Sequence, residues 1–191
     1  MALADKLLFT VEEFLDSCPN DQRHYQLFDG VMVAMAPPSD RHQRVAGILG
    51  GLLYNTVSAK LPGCAVLIQA GIAPHGVQGR DHFETDLTVT CEPARDDRRG
   101  IVEAPLLIVE VLSPGTERDD VLVKLPAYQR IASLQEILYV ETERVGATVY
   151  RRAGAEWVVV IIGGTDRLRL DTVGLDIPIT DLYRGIPELS P

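Results

Sequence analysis

The chain has 191 residues, and its 18 Lys and Arg against 27 Asp and Glu give a formal net charge of -9. With 46% hydrophobic and 24% charged residues it is close to the globular average, which excludes a wholly disordered chain. The charge excludes a protein that coats nucleic acid by bulk electrostatics, although not one that cuts nucleic acid at a local site.

The N-terminal part predicts a short helix, a hairpin and a long helix. Thr10 followed by Glu13 is a capping box, which opens the short helix. The Asp-Gly pair at 29–30, between two apolar runs, predicts a tight hairpin because its turn needs positive φ. Ser39 caps the long helix, which ends at the Pro-Gly pair 62–63. Six apolar residues at helical spacing mark its buried face: Val45, Ile48, Leu49, Leu52, Leu53 and Val57.

The rest of the chain predicts a sheet and one more helix. The apolar run Pro105 to Leu112 predicts a buried central strand, and a helix is expected between 116 and 132. Alternation puts Glu84, Asp86, Thr88 and Thr90 on one strand face, with Leu87 and Val89 on the other. Further strands are predicted at 64–72, 136–141, 147–152 and 156–162. This order predicts a single α/β (mixed α+β) domain over residues 1–191, with a sheet covered by few helices.

Two features indicate the compartment. The longest mostly apolar run is far shorter than the ~20 residues of a membrane helix, and the N-terminal sequence MALADKLLFTVEEF lacks the pattern of a signal peptide. Cys18, Cys64 and Cys91 are odd in number and contain no CxxC pair, so they predict three free thiols and neither a disulfide framework nor a zinc ribbon. We therefore expect a cytoplasmic protein without a membrane span.

Glu110 is the most informative residue of the sequence. It lies within Leu-Leu-Ile-Val-Glu-Val-Leu, the driest predicted strand. A carboxylate there loses hydration, which costs several kcal/mol unless a cation or a donor compensates for it. Glu110 is therefore either a strand-end residue that reaches water or pairs with an Arg, or part of a functional site.

Asp86 gives the functional alternative a second member. The strands on either side of the 92–100 loop are expected to pair antiparallel, so that Asp86 and Glu110 face each other. Two converging carboxylates repel, and a divalent ion such as Mg²⁺ removes that penalty. The alternative for Asp86 is an exposed strand residue.

Lys124 is the third candidate. It lies at the edge of the apolar stripe that Val121, Leu125 and Tyr128 form on the predicted helix. Such a lysine either extends along the apolar surface to water or meets an anion at the sheet. An ammonium group beside Glu110 is suited to stabilising the extra charge of a phosphate transition state. Asp119 is expected to support Lys124 or to cap its helix.

These residues resemble the restriction-endonuclease-like PD-(D/E)xK nucleases, and more closely the Uma2 family of proposed bacterial endonucleases. The resemblance covers roughly residues 8–185. Five stretches carry it in family order: Tyr25 to Gly30, Ala36 to His42, Thr85 to Leu87, Pro105 to Pro114, and Lys124 with Tyr128.

The resemblance implies a central mixed sheet flanked by helices, with the N-terminal hairpin and the long helix. It implies Asp86 and Glu110 as metal ligands, with the carbonyl of Val111 as an additional candidate ligand. The superfamily usually has its lysine two residues after the acid, where this chain has Leu112, and the family resemblance assigns that role to Lys124.

The resemblance also points to Gln26 and His42. Gln26 stands where the family tends to have Glu, and its amide can orient a water or a ligand without bringing charge. His42 is implied near the site, as a general base or as a donor to a phosphate at the start of the long helix. The alternative for His42 is a surface or supporting histidine.

The sequence and the resemblance together predict an Mg²⁺-dependent endonuclease, with Mn²⁺ as an alternative ion, that hydrolyses DNA phosphodiester bonds. A local basic patch is expected from Arg41, Arg44, Arg80 and Lys124, and a homodimer would suit the two strands of a duplex. The competing hypothesis is a non-catalytic module of the same fold that binds a protein or nucleic acid, which Gln26 favours.

Overall fold

The computed structural model describes residues 8–19, 21, 23–94, 100–113, 120–186 and 189. The helices are α1 (Val11–Ser17), α2 (Asp40–Lys60) and α3 (Leu125–Tyr128), with a π-helical turn at Asp120–Lys124 and a 3-10 turn at Ile179–Tyr183. The strands are β1 (Tyr25–Phe28), β2 (Val31–Ala34), β3 (Ala65–Ile72), β4 (Phe83–Thr90), β5 (Ile101–Val102), β6 (Pro105–Val111), β7 (Glu136–Val140), β8 (Gly146–Ala153), β9 (Glu156–Gly163), β10 (Arg167–Leu170) and β11 (Leu175–Pro178).

Seven strands form the central sheet, in the order β5-β3-β4-β6-β7-β8-β9. Two neighbouring pairs, β6 with β7 and β3 with β5, run parallel, and the others are antiparallel. Strands β1 and β2 form a separate hairpin, as do β10 and β11. The predicted mixed α/β class, with a central mixed sheet, an N-terminal hairpin and a long helix, is confirmed.

Helix α2 covers one face of this sheet. Its buried side chains Val45, Leu49, Leu53 and Val57 pack with residues of β4, β6, β7 and β8 and with the β10–β11 hairpin. Burial of each is worth roughly 1.5–3 kcal/mol, which fixes the start of α2 over the sheet. Tyr128 of α3 packs in the cluster on the opposite face.

The local signals of the sequence act as predicted. Thr10 and Glu13 form the capping box of α1. Asp29 and Gly30 have φ angles of 44° and 83°, as the tight turn between β1 and β2 requires. The Ser39 hydroxyl caps α2 by accepting a hydrogen bond from the third backbone N–H of the helix. These signals are confirmed because each depends on groups only a few residues apart.

The predicted alternation in β4 is interrupted. Regular alternation puts Thr85 and Thr88 on opposite faces, but their hydroxyl oxygens lie 2.7 Å apart. Leu87 packs in the cluster beneath α2, whereas Phe83 packs in the cluster on the opposite face. The prediction of one shared face for the even positions of 84–90 is therefore wrong, because the strand changes face between Thr85 and Thr88.

The cysteine prediction is also wrong. Cys64 and Cys91 form a disulfide with their Cα atoms 3.9 Å apart, and only Cys18 among the three is free. The reason is the register of β3 with β4. Ala65 pairs with Thr90, so the residues one step further out face each other across the strands. Their 27-residue separation in the sequence hides this proximity.

The helix expected between 116 and 132 is present only in part among the described residues. The π-helical turn continues directly into α3, and α3 ends at Tyr128. Pro126 lies in the first turn of α3, where a missing N–H costs little. Asp119 lies outside the described residues. In the described ranges no helix has the length and hydropathy needed to cross a membrane.

Candidate functional site

Strands β4 and β6 bring the two candidate carboxylates to corresponding positions. Leu87 pairs with Val109, and the next step along this antiparallel register places Asp86 opposite Glu110. The backbone N–H of Val111 donates a hydrogen bond of 2.7 Å to Oδ2 of Asp86. The predicted antiparallel pairing of these strands is confirmed, and one side chain crosses from β4 to the end of β6.

His42 joins Asp86 from the first turn of α2. Its Nε2 lies 3.2 Å from Oδ2 of Asp86, and both side chains are partly buried. Because a carboxylate only accepts, Nε2 carries the proton of this contact. The Ser39 cap fixes the position of His42, since the Ser39 hydroxyl accepts from the His42 backbone N–H. Asp86 accepts two hydrogen bonds on Oδ2, and Oδ1 receives none from the described residues.

Glu110 is held by a cation and a hydroxyl. Nζ of Lys124 lies 3.2 Å and the hydroxyl of Tyr128 2.7 Å from Oε1 of Glu110. Glu110 is 3% exposed and Lys124 4% exposed, so the pair is buried. The sequence left open whether Lys124 extends to water or meets an anion, and the structure brings it to Glu110. Attraction within the pair offsets the cost of removing both charges from water.

Gln26 is buried on β1 with an unsatisfied carbonyl. It is 7% exposed, and its Oε1 has no hydrogen-bond partner among the described residues. No hydrogen bond in that part of the chain connects it with Asp86, Glu110 or Lys124. A buried acceptor without a partner costs about 1–3 kcal/mol, so Gln26 is suited to a water or ligand that donates to it.

The residues present fit a hard divalent ion only as part of a larger ligand set. Within the described ranges, no group of three or more His, Cys, Asp or Glu side chains is arranged to hold a metal. Mg²⁺ is commonly bound by one or two carboxylates, with waters and phosphate oxygens completing its shell. Asp86 and Glu110 are two carboxylates of the kind that this smaller ligand set needs. Oδ1 of Asp86 accepts no hydrogen bond from the described residues and can contact the ion.

The expected basic patch is largely engaged in ion pairs. Arg41 pairs with Glu143 at 3.3 Å, Arg44 pairs with Asp40 at 2.7 Å, and Lys124 pairs with Glu110. Arg80 is exposed. Three of the four residues expected to form the patch therefore have an acidic partner, and a nucleic acid that binds them must compete with these acids.

Two contacts of this region were not predicted from the sequence. The Tyr128 hydroxyl contacts Glu110, although its spacing indicated only an apolar stripe. His24 and Glu84 form a pair of 2.8 Å between the start of β1 and β4. A sequence signal exists for the second pair alone: each residue lies two positions before a candidate site residue, Gln26 or Asp86.

Comparisons with known proteins identify the family from one match and the fold from another. The model of the Uma2 family, described as "Putative restriction endonuclease", matches residues 11–180. A protein of Synechocystis sp. (strain ATCC 27184 / PCC 6803 / Kazusa), named "Uncharacterized protein slr1290", is 28% identical over 176 residues, covering 92% of this chain and 91% of the relative.

A solved structure extends the comparison to three dimensions. It is described as a putative nuclease belonging to DUF820 from Anabaena variabilis ATCC 29413, and it superposes with a TM-score of 0.73 at 16% identity. The match covers 92% of this chain and 97% of that one. At this identity the likeness shows a shared fold.

Proposed function

This chain belongs to the Uma2 family, and from that membership we propose that it is a metal-dependent endonuclease that hydrolyses DNA phosphodiester bonds. The family description supports a nuclease-like function. The proposal adds Mg²⁺ dependence, with Mn²⁺ as a substitute, and DNA as the substrate. The observation that carries it is the hydrogen bond from Val111 to Asp86, which joins one acid to the end of β6. Glu110 lies at that end of β6 and is paired with Lys124.

The proposal gives each residue a role that its contacts support. Asp86 and Glu110 are the metal ligands. When bound, the ion offsets the charge of both carboxylates and acidifies a water. His42 orients Asp86 through its Nε2–H, and its neighbouring helix start is suited to a phosphate.

Lys124 and Gln26 complete the proposed site. The ammonium group of Lys124 is already desolvated beside Glu110, so it stabilises developing negative charge more strongly than a hydrated lysine would. The unsatisfied Oε1 of Gln26 accepts a hydrogen bond from the attacking water and orients it. Gln26 contributes no charge to this site.

We place the proposed homodimer at the edge strand β9. Strand β9 pairs with β8 on one side and with no strand of the described residues on the other. Four consecutive side chains of β9 are apolar and exposed: Val158, Val159, Val160 and Ile161. Edge strands are normally protected by charges, proline or bulges. Between Trp157 and Gly163 this strand has no charged residue and no proline.

Pairing of β9 with a second copy of itself satisfies this edge. An antiparallel pair centred on Val160 places apolar residues opposite each other and sets Trp157 opposite a glycine, while Glu156 lies outside the paired segment. No like charges meet, and the sheet continues across a twofold axis. Such a dimer carries two candidate sites, as cutting both strands of a duplex requires.

A cytoplasmic location belongs to the proposal because genomic DNA is the expected substrate. The Cys64–Cys91 disulfide argues against it, since the reducing cytoplasm keeps most thiols free.

One alternative has an observation in its favour. A non-catalytic module that binds a protein or nucleic acid would need no charge at position 26, and one that binds a protein would need no free cationic surface. The neutral Gln26 and the ion-paired Arg41 and Arg44 fit that role.

The test is cleavage of single- and double-stranded DNA with Mg²⁺ or Mn²⁺, comparing the wild type with Glu110→Gln and Lys124→Met. We expect metal-dependent cleavage by the wild type and its loss in both variants. Equal activity in all three would identify a contaminating nuclease. DNA binding without cleavage at any metal concentration would support the alternative module.

A further inference from the structure

A cavity lies between α1, the start of β1 and the strands β3 and β4. Its volume is about 260 Å³. Phe14, Tyr25 and His82 supply aromatic rings to its lining, and Gln69 and Glu84 supply polar groups. None of these residues has a role in the proposed hydrolysis.

His82 is the unusual member of this lining. It is 5% exposed, and neither Nδ1 nor Nε2 has a hydrogen-bond partner among the described residues. Its ring packs against Phe14 at a tilt of 43°, with the centroids 5.1 Å apart. Burial lowers the pKa of His82 to about 4, so the ring is neutral at pH 7 and offers one donor and one acceptor.

The backbone next to His82 is shaped around the ring. A Cβ atom added at Gly71 would lie 2.5 Å from Nε2 of His82. A side chain at position 71 would therefore displace the imidazole. Gly71 thus makes room for the imidazole itself, and the two unpaired ring nitrogens would be satisfied by a ligand with both donors and acceptors.

The cavity adjoins a groove that runs towards the start of α2. It shares Arg23, His24 and Gln69 with this groove of about 450 Å³, which continues along residues 34–38. The groove ends next to Ser39, the cap that fixes His42. Glu84, in the cavity, and Asp86, in the candidate site, are two residues apart on β4, which is about 7 Å along a strand.

From this arrangement we propose that the His82 cavity binds one unstacked nucleobase of the substrate strand, next to the phosphodiester that is cut. The choice of a nucleic-acid ligand rests on the proposed nuclease function. A base has flat apolar faces for the aromatic walls and donors and acceptors along its edge for His82 and Gln69. Glu84 accepts from an exocyclic amine, since His24 occupies only part of the capacity of its carboxylate.

The geometry also gives a path for the strand. Arg23 is exposed and lines both the cavity and the groove, so it is placed to contact a phosphate between the bound base and the candidate site. A duplex must release the base from its stack before the cavity can take it. The cavity therefore favours single-stranded or locally opened DNA.

The experiment measures binding in EDTA, where no cleavage occurs. Deoxynucleoside monophosphates are titrated into the wild-type protein while the imidazole signals of His82 are followed by NMR. A short single-stranded oligonucleotide is then bound to the wild type, to His82→Phe, which keeps an aromatic ring against Phe14, and to His75→Phe, a histidine outside the cavity. We expect the mononucleotides to shift the His82 signals, and His82→Phe alone to bind the oligonucleotide about tenfold more weakly.

The outcomes separate this proposal from the nuclease proposal. Unmoved His82 signals at saturating mononucleotide overturn the base site, whatever the variants do, and so does equal oligonucleotide binding by wild type and His82→Phe. If the wild type cleaves DNA while the His82 signals stay unmoved, only the base site fails. If the mononucleotides shift His82 but no metal supports cleavage, the base site stands and the catalytic assignment fails.

Discussion

The backbone N–H of Val111 donates to Oδ2 of Asp86 at 2.7 Å, so the candidate metal ligand on β4 is fixed to the end of β6. This hydrogen bond separates the structural role of Asp86 from its charge. An amide oxygen can accept the same bond, but it cannot compensate a cation.

Asp86→Asn should therefore fold and fail to cut. The Asn oxygen keeps the bonds from Val111 and His42, so we expect a melting temperature near that of the wild type. Loss of the carboxylate should lower the Mg²⁺-dependent cleavage rate at least about 100-fold. The matched control is Asp81→Asn, because Asp81 also accepts a backbone N–H, from Asp29 at 2.9 Å. Unchanged cleavage by Asp86→Asn would remove Asp86 from the site.

The buried pair of Glu110 and Lys124 predicts strong coupling in stability. Lys124→Met leaves the Glu110 carboxylate buried without its cation and should cost about 3–5 kcal/mol of unfolding free energy. In the double variant Glu110→Gln/Lys124→Met, the neutral amide still accepts from Tyr128, and most of this cost should be recovered. Urea unfolding of the wild type, both single variants and the double variant measures the coupling. Additive effects would show that the two charges do not depend on each other.

The features that sequence predicts well are those governed by neighbouring residues or by a simple burial argument. The Ser39 cap and the 29–30 turn act over a few residues, and the structure has both. The dry surroundings of Glu110 predicted a compensating partner, and it has Lys124 and Tyr128.

The features that sequence missed depend on segments far apart in the chain. The Cys64–Cys91 pairing follows from the register of β3 with β4, which no spacing reveals. The burial of the His82 ring depends on its contacts with Phe14 and with the backbone of Gly71. The face change within β4 lies opposite Gln69 of β3, which has a φ of 53° and is left out of the strand register.

The β9 edge predicts that one charge should separate the proposed dimer. Ile161 is 81% exposed at the end of the exposed apolar run of β9, so Ile161→Lys should leave the fold intact and place a lysine in the interface. Sedimentation should show a dimer for the wild type and a monomer for the variant. Ile68→Lys is the matched control, because Ile68 is 74% exposed on β3, away from β9. A wild-type monomer at all concentrations, or a dimer in Ile161→Lys, would contradict the β9 interface.

His82 predicts a specific loss of stability in acid. Burial lowers its pKa from 6.5 to about 4 in the folded protein, so the unfolded chain takes up the proton at higher pH. The stability linked to neutral His82 is complete above about pH 6.5 and is lost as the pH falls to about 4, amounting to about 3 kcal/mol.

The measurement is urea unfolding of the wild type, His82→Phe and His75→Phe at pH 7 and at pH 4.5, within that window. Carboxylates also lose stability in acid, but they do so equally in all three proteins, so the difference between proteins isolates His82. We expect His75→Phe to follow the wild type and His82→Phe to lose less stability between the two pH values. Equal losses in wild type and His82→Phe would mean that His82 gains a proton as readily when folded as when unfolded. Its ring would then have access to water or to a hydrogen-bond partner. That result would contradict a buried imidazole whose nitrogens are free to bind a nucleobase.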